Sequence, residues 1–198
     1  YVQDAIIASN ATKACTITLG AGTVLRNYGG MSAVRVTNQA VLKMEAGSAM
    51  EDTMVTDRTK GSAEGEVGPA GAVWTQGGTL LMKAGAEIRS MVGRAIYADG
   101  GSITIGGKIY NITGDADMWQ GNLKQKTLPG VALHLRNGAV GSMSATGEIT
   151  DIKGSGNAVF ATGEAVRFTM EHGSKIHNYA NMCGVYMAYG KLYMDGEI

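Results

Sequence analysis

Apolar and polar residues alternate in runs of only three to five positions, and the runs return in one order along the chain. The first reads small, aliphatic, variable, apolar: Ala33-Val34-Arg35-Val36, Ala72-Val73-Trp74-Thr75, Ala95-Ile96-Tyr97-Ala98, Ala132-Leu133-His134-Leu135, Ala158-Val159-Phe160-Ala161 and Gly184-Val185-Tyr186-Met187. The second includes Ile17-Thr18-Leu19, Leu42-Lys43-Met44, Leu80-Leu81-Met82, Ile103-Thr104-Ile105, Phe168-Thr169-Met170 and Leu192-Tyr193-Met194. The third ends in Leu25, Met50, Ile88, Ile109, Ile149, Ile176 and Ile198. Period-two alternation over such short runs predicts strands, and no stretch keeps a helical period long enough to compete. Gly pairs such as Gly77-Gly78 and Gly100-Gly101 stand between the runs, where a corner needs positive φ.

The units recur. Leu19, Met44, Met82, Ile105, Met143, Met170 and Met194 head the same Gly-containing step, at intervals of 25, 38, 23, 38, 27 and 24 residues. A unit in the twenties cannot bury its apolar face alone, so the units must stack as a solenoid. Three strands per unit, stacked parallel at about 4.8 Å, predict a parallel β-helix of about seven coils. Both 38-residue intervals carry their excess at the same place, giving inserted loops at residues 53–71 and 113–130 on one edge. Insertions in a repeat array map to one face, often the binding face.

Ala-Val-Trp or Gly-Val-Tyr, then Gly-Gly-Thr-Leu-x-Met, then Gly-Ala-x-Ile resembles the adhesin-like right-handed β-helix repeats of bacterial cell-surface proteins, within the broad pectin-lyase-like fold family. The resemblance spans about residues 15–198. It implies a right-handed all-β solenoid, with residues 1–14 as an N-terminal lead-in and 15–198 as a single domain, and says little about activity.

Two polar columns fit the stack. Asn27, Asp52, Ser90, Asn111, Asp151 and Asn178 follow the third-strand aliphatic by two positions, at a corner where side-chain amides and carboxylates tolerate left-handed backbone. The resembled family is known for asparagine ladders at such corners. Glu87, Lys108, Glu148, Lys175 and Glu197 precede that aliphatic, so neighbouring coils present opposite charges.

Net charge is zero, with no basic block, which argues against nucleic acid and anionic membrane as partners. No apolar run approaches the length of a membrane span. The chain opens at Tyr1 and closes at Ile198 inside a repeat unit, and a solenoid needs polar caps. The sequence therefore reads as a fragment of a longer protein, with self-association through uncapped ends as one expectation. Cys15 and Cys183 fall in the first and last units, some 29 Å apart at strand spacing, too far for a disulfide; both read as isolated buried thiols.

Candidate chemistry lies along the variable position of the first strand, which alternation turns outward: Arg35, Trp74, Tyr97, His134, Phe160 and Tyr186. Rings at strand spacing suit a sugar or the surface of a partner protein, although stacked rings also cover the coil beneath them. Asp57 and Arg58 in the first loop, and Asp115, Asp117 and Trp119 in the second, extend that candidate site. A carboxylate pair beside a Trp can grip sugar hydroxyls or a hard cation, but Asp-Ala-Asp lacks a Ca²⁺-loop pattern. His134, His172 and His177 lack ligand spacing and read as surface histidines, so no metal or cofactor is expected.

A glycoside hydrolase needs two carboxylates flanking one bond, and a β-helix lyase needs an acidic Ca²⁺ cluster with a basic residue. The outward column of the second strand (Thr18, Lys43, Leu81, Thr104, Ser142, Thr169, Tyr193) contains no acid. The expectation is a non-enzymatic, adhesin-like stalk or recognition module, cell-surface or secreted, taking a glycan or host surface protein; the alternative is a fragment of a polysaccharide lyase or hydrolase.

Overall fold

The computed structural model describes residues 4–10, 15–26, 28–55, 71–114, 130–153, 156–179 and 183–198. Among them there is no helix, and three parallel sheets wrap one apolar interior as a parallel β-helix of about seven coils. The first sheet stacks Ile6–Asn10, Val34–Asn38, Val73–Gln76, Arg94–Asp99, Val131–Arg136, Val159–Thr162 and Val185–Met187. The second stacks Thr16–Leu19, Val41–Met44, Thr79–Met82, Ser102–Ile105, Val140–Met143, Arg167–Met170 and Lys191–Met194. The third runs from Val24–Arg26 through Ala49–Glu51, Glu87–Val92, Lys108–Thr113 and Glu148–Ile152 to Lys175–Tyr179; the short pair Gly29–Gly30 and Met54–Val55 joins it at Glu87–Val92.

Within the N-terminal segment, the described residues include a strand of the first sheet. Ile6–Asn10 pairs in register with Val34–Asn38, because its own short alternation turns Ala8 into the core and leaves Ile7 outside.

The registers place the repeated residues in vertical columns. Leu19, Met44, Met82, Ile105, Met143 and Met170 lie one above another and are buried. Volume is balanced between rungs rather than within them. Phe168 is fully buried above Gly141, where an added Cβ would stand 3.1 Å from the Phe168 ring and 2.8 Å from Leu135. Leu192, Met194 and Ile198 continue core columns yet are 41%, 57% and 46% exposed, with no described strand above them.

The corner column behaves as its composition predicts. Asp52, Ser90, Asn111, Asp151 and Asn178 all have φ between 51° and 55°, while Asn27 lies outside the described residues. The third strands do not end at the first aliphatic, as alternation alone suggests. They continue through the left-handed residue, which reverses side-chain parity, so Ile88 and Met91, Ile109 and Ile112, and Ile149 and Ile152 all reach the core. Asn111 Nδ2 also donates to Ser90 Oγ on the coil below, at 3.2 Å.

A β-branched residue is the poorest occupant of that conformation. Asn111→Val is expected to cost about 1–2 kcal/mol more than Asn111→Gly, read as a lower urea midpoint at unchanged slope.

Candidate functional site

The outward positions of the first sheet form the predicted column. Arg35, Trp74, Tyr97, His134, Phe160 and Tyr186 are consecutive register partners. Strand spacing brings the rings together: Trp74 and Tyr97 meet edge-on at 6.4 Å, Tyr97 and His134 at 5.0 Å, and His134 and Phe160 at 4.9 Å. Phe160 and Tyr186 stack nearly parallel at 5.3 Å. Each such contact contributes roughly 0.5–1.5 kcal/mol beyond area burial.

The column is on the outer side of the sheet but is not an open stripe. Trp74, Tyr97 and His134 are only 6%, 2% and 8% exposed, Phe160 is half-buried, and Tyr186 reaches 43%. Guanidinium groups account for part of the cover. Arg35 lies over the Trp74 ring at 4.0 Å, Arg94 over the Tyr97 ring at 5.1 Å, and Arg136 Nη1 donates to the Tyr97 hydroxyl at 3.0 Å. Arg35 is itself held by Gln76 Oε1 at 2.7 Å and Asp4 at 3.6 Å, and Asp4 accepts from buried Ser32. Alternation fixes only which side of the sheet a residue takes; what lies over it is decided by other parts of the chain.

His134 is therefore not a surface histidine. Burial, with the positive charges of Arg94 and then Arg136 beside it, pushes its imidazole down from 6.5 to about 3. Burial also raises the Tyr97 hydroxyl, against the opposing pull of Arg136.

Arg94 and Arg136 were missed by sequence reasoning. Arg136 was legible, since it stands two residues beyond His134 and shares its parity. Arg94 was not: it is three residues before Tyr97 and reaches that ring only through the tertiary fold. Asp57, Arg58, Asp115, Asp117 and Trp119 lie outside the described residues. The described roots of the two loops do share an edge, because Arg94 pairs with Val131 after the second loop and Ala72, after the first, donates to Arg94 O at 3.0 Å.

The third sheet carries the second polar cluster. Its column Glu87, Lys108, Glu148, Lys175 and Glu197 is in register, with ion pairs Lys108–Glu148 at 3.0 Å and Lys175–Glu197 at 3.4 Å. A neighbouring column adds Arg26–Glu51 at 3.1 Å and Arg89–Glu51 at 2.5 Å; Arg89 also pairs with Glu87. His177 Nε2 meets Glu148 Oε1 at 2.9 Å, and its Nδ1 is 3.4 Å from the buried Thr150 hydroxyl. Burial pushes the Glu148 carboxyl up, but hydrogen bonds from Lys108 and His177 outweigh it and hold the group below its ordinary value.

Among the described residues, Thr150, His177 and Glu148 form a hydroxyl–imidazole–carboxylate relay. The hydroxyl belongs to a residue only 2% exposed and also accepts from Asn178 at 3.4 Å, so it is enclosed within the packed sheet. Among the described residues no group of three or more His, Cys, Asp or Glu side chains is arranged to hold a metal ion. Cys15 and Cys183 are free; Cys15 packs against the core, but Cys183 is exposed, because it precedes the first-sheet strand of the last coil instead of facing inward.

Comparison with known protein families, with curated proteins and with solved structures finds no match to this chain.

The burial gradient predicts unequal costs along the aromatic column. Trp74→Ala is expected to lose about 3–5 kcal/mol of stability, and Tyr186→Ala well under half of that, compared by urea denaturation. Glu148 has a lowered folded pKa, so its contribution is complete above the ordinary glutamate value of 4.5 and fades as pH falls through the folded value. Glu148→Gln is accordingly expected to be less stable than the parent at pH 7, with the gap narrowing as pH falls below 4.5, in denaturation curves taken across that range.

Proposed function

We propose that this protein is a non-enzymatic, adhesin-like β-helical module of a bacterial cell-surface or secreted protein, and that it recognises a glycan or a partner surface protein through the accessible end of its outer aromatic column. The observation that carries this reading is the in-register run of rings that ends in half-buried Phe160 and exposed Tyr186, stacked 5.3 Å apart. A flat apolar face with a phenolic hydroxyl at its rim suits the apolar face of a sugar ring and one of its hydroxyls. Trp74 and Tyr97 act in this reading as the rigid base of the column, since their faces are covered by Arg35 and Arg94. The charge columns of the third sheet support a structural use of its carboxylates: Glu51 and Glu148 are each engaged by two cationic or imidazole partners.

Screening on a glycan array, with a binding isotherm for any hit, tests the site. The Phe160→Ala/Tyr186→Ala double variant is expected to lose at least tenfold in affinity with its circular dichroism unchanged; undiminished binding would move recognition elsewhere. Incubation with acidic and neutral polysaccharides is expected to release neither unsaturated nor reducing ends, and product formation would replace this reading with a lyase or hydrolase.

A further inference from the structure

Alternation on the second sheet turns Phe168 and Leu192 along a core column and sends Arg167, Thr169, Lys191 and Tyr193 outward. The outward four form a block two side chains wide and two coils high, because Arg167 is the register partner of Lys191 and Thr169 that of Tyr193. Arg167, Lys191 and Tyr193 are exposed, and Thr169 is half-buried. Two cations are thus rooted about 4.8 Å apart on one open face. Like charges directly opposite destabilise a sheet. The third sheet uses the same spacing to set acid beside base, as in Lys108–Glu148 and Lys175–Glu197. The last two coils of the second sheet do the reverse.

This block adjoins the accessible rings. Lys191 follows Tyr186 by five residues on one coil, at most about 18 Å of chain, and exposed Tyr189 stands at the corner between them. Arg167 follows Phe160 across the same corner on the coil below.

We propose that Arg167, Lys191, Thr169 and Tyr193 form an oxyanion subsite, and that the glycan recognised at this end of the β-helix carries sulfate or phosphate monoester groups. The subsite rests on the glycan reading above and gives that ligand its charge. A sulfate or phosphate monoester presents three terminal oxygens. The planar guanidinium of Arg167 can take two of them side by side and the Lys191 ammonium the third, with the Thr169 and Tyr193 hydroxyls as further donors. A carboxylate offers only two oxygens in one plane, which a single guanidinium fork already satisfies. An anion between the cations also removes their mutual repulsion, so binding relieves a cost that the free protein carries. The Tyr193 ring, beside that anion, offers a flat apolar face to the adjoining sugar.

The test is a set of binding isotherms, at low and at physiological ionic strength, with four oligosaccharides of equal length: a sulfated galactan, the same galactan desulfated, a phosphorylated mannan and an oligogalacturonate. Polyglutamate is the fifth probe. The sulfated and phosphorylated chains distinguish the two sources of oxyanion. At least one of them is expected to bind about tenfold tighter than the desulfated galactan and the oligogalacturonate, with affinity falling as salt rises. Arg167→Gln/Lys191→Gln is expected to abolish that preference while holding or raising the urea midpoint, because a like-charge pair is lost. The subsite is overturned if neither ester-bearing chain is preferred, if the preference survives in the double variant, or if that variant loses stability, which would make the pair structural. Tighter binding of polyglutamate than of either ester-bearing chain would overturn it in favour of an acidic protein surface. Failure of the ring site reads differently: Phe160→Ala/Tyr186→Ala then leaves affinity for the ester-bearing chain intact, and a loss confined to the cation variant supports the subsite alone.

Discussion

A residue on one coil of this chain is held about 4.8 Å from its counterparts on the coils below and above, because parallel backbone hydrogen bonds allow no other spacing. That separation matches side-chain contact distance, so every column is a run of enforced neighbours. Inside, the constraint demands that volumes be traded between rungs, as where Gly141 makes room for the ring of Phe168. Outside, it converts sequence recurrence into interactions. Rings at one register stack, opposite charges at another pair, and Arg167 and Lys191 become adjacent like charges tolerated at the exposed edge of the second sheet.

The three sheets use the same spacing in different ways. On the third, Glu, Lys and Arg alternate closely enough for Glu51, Glu148 and Glu197 each to find a cation on a neighbouring coil, while Glu87 pairs with Arg89 of its own strand, and the face remains partly hydrated. On the first, aromatic rings replace the carboxylates, and cations approach from the side as lids over the ring faces. The contrast is chemical: an ion pair gains little from drying, whereas a ring column gains from every surface removed from water. One imidazole in the dry column therefore meets an environment unlike that of His177, which lies among solvated charges.

Corners obey a stricter rule than faces. A coil must turn without interrupting the sheet hydrogen bonds, and the left-handed residue at the third sheet achieves this while bringing two apolar side chains inward on either side of itself. Asp, Asn and Ser fill that position because their short polar side chains tolerate the conformation and bond to local groups. At the corner between the first and second sheets, Asn38 and Asn137 flank Gly77 and Gly100 along the stack, all four in the same left-handed region.

Much of the architecture was legible in the amino-acid order. The alternating runs, their recurrence and the Asn/Asp/Ser corners determined three parallel sheets and the membership of each column, since period and register are local properties multiplied by repetition. The strand at Ile6–Asn10 and the continuation of the third strands past the corner escaped notice. The first is a short run apart from the clear repeats, and the second reverses parity at a single residue. What only the tertiary structure decided was accessibility. Whether an outward Trp74, Tyr97 or His134 meets water depends on which side chains fold over it, such as Arg94 and Arg35, and alternation carries no information about what lies over a face. The state of His134 follows from that same cover, because burial and neighbouring charge belong to the assembled stack and to no single unit of it.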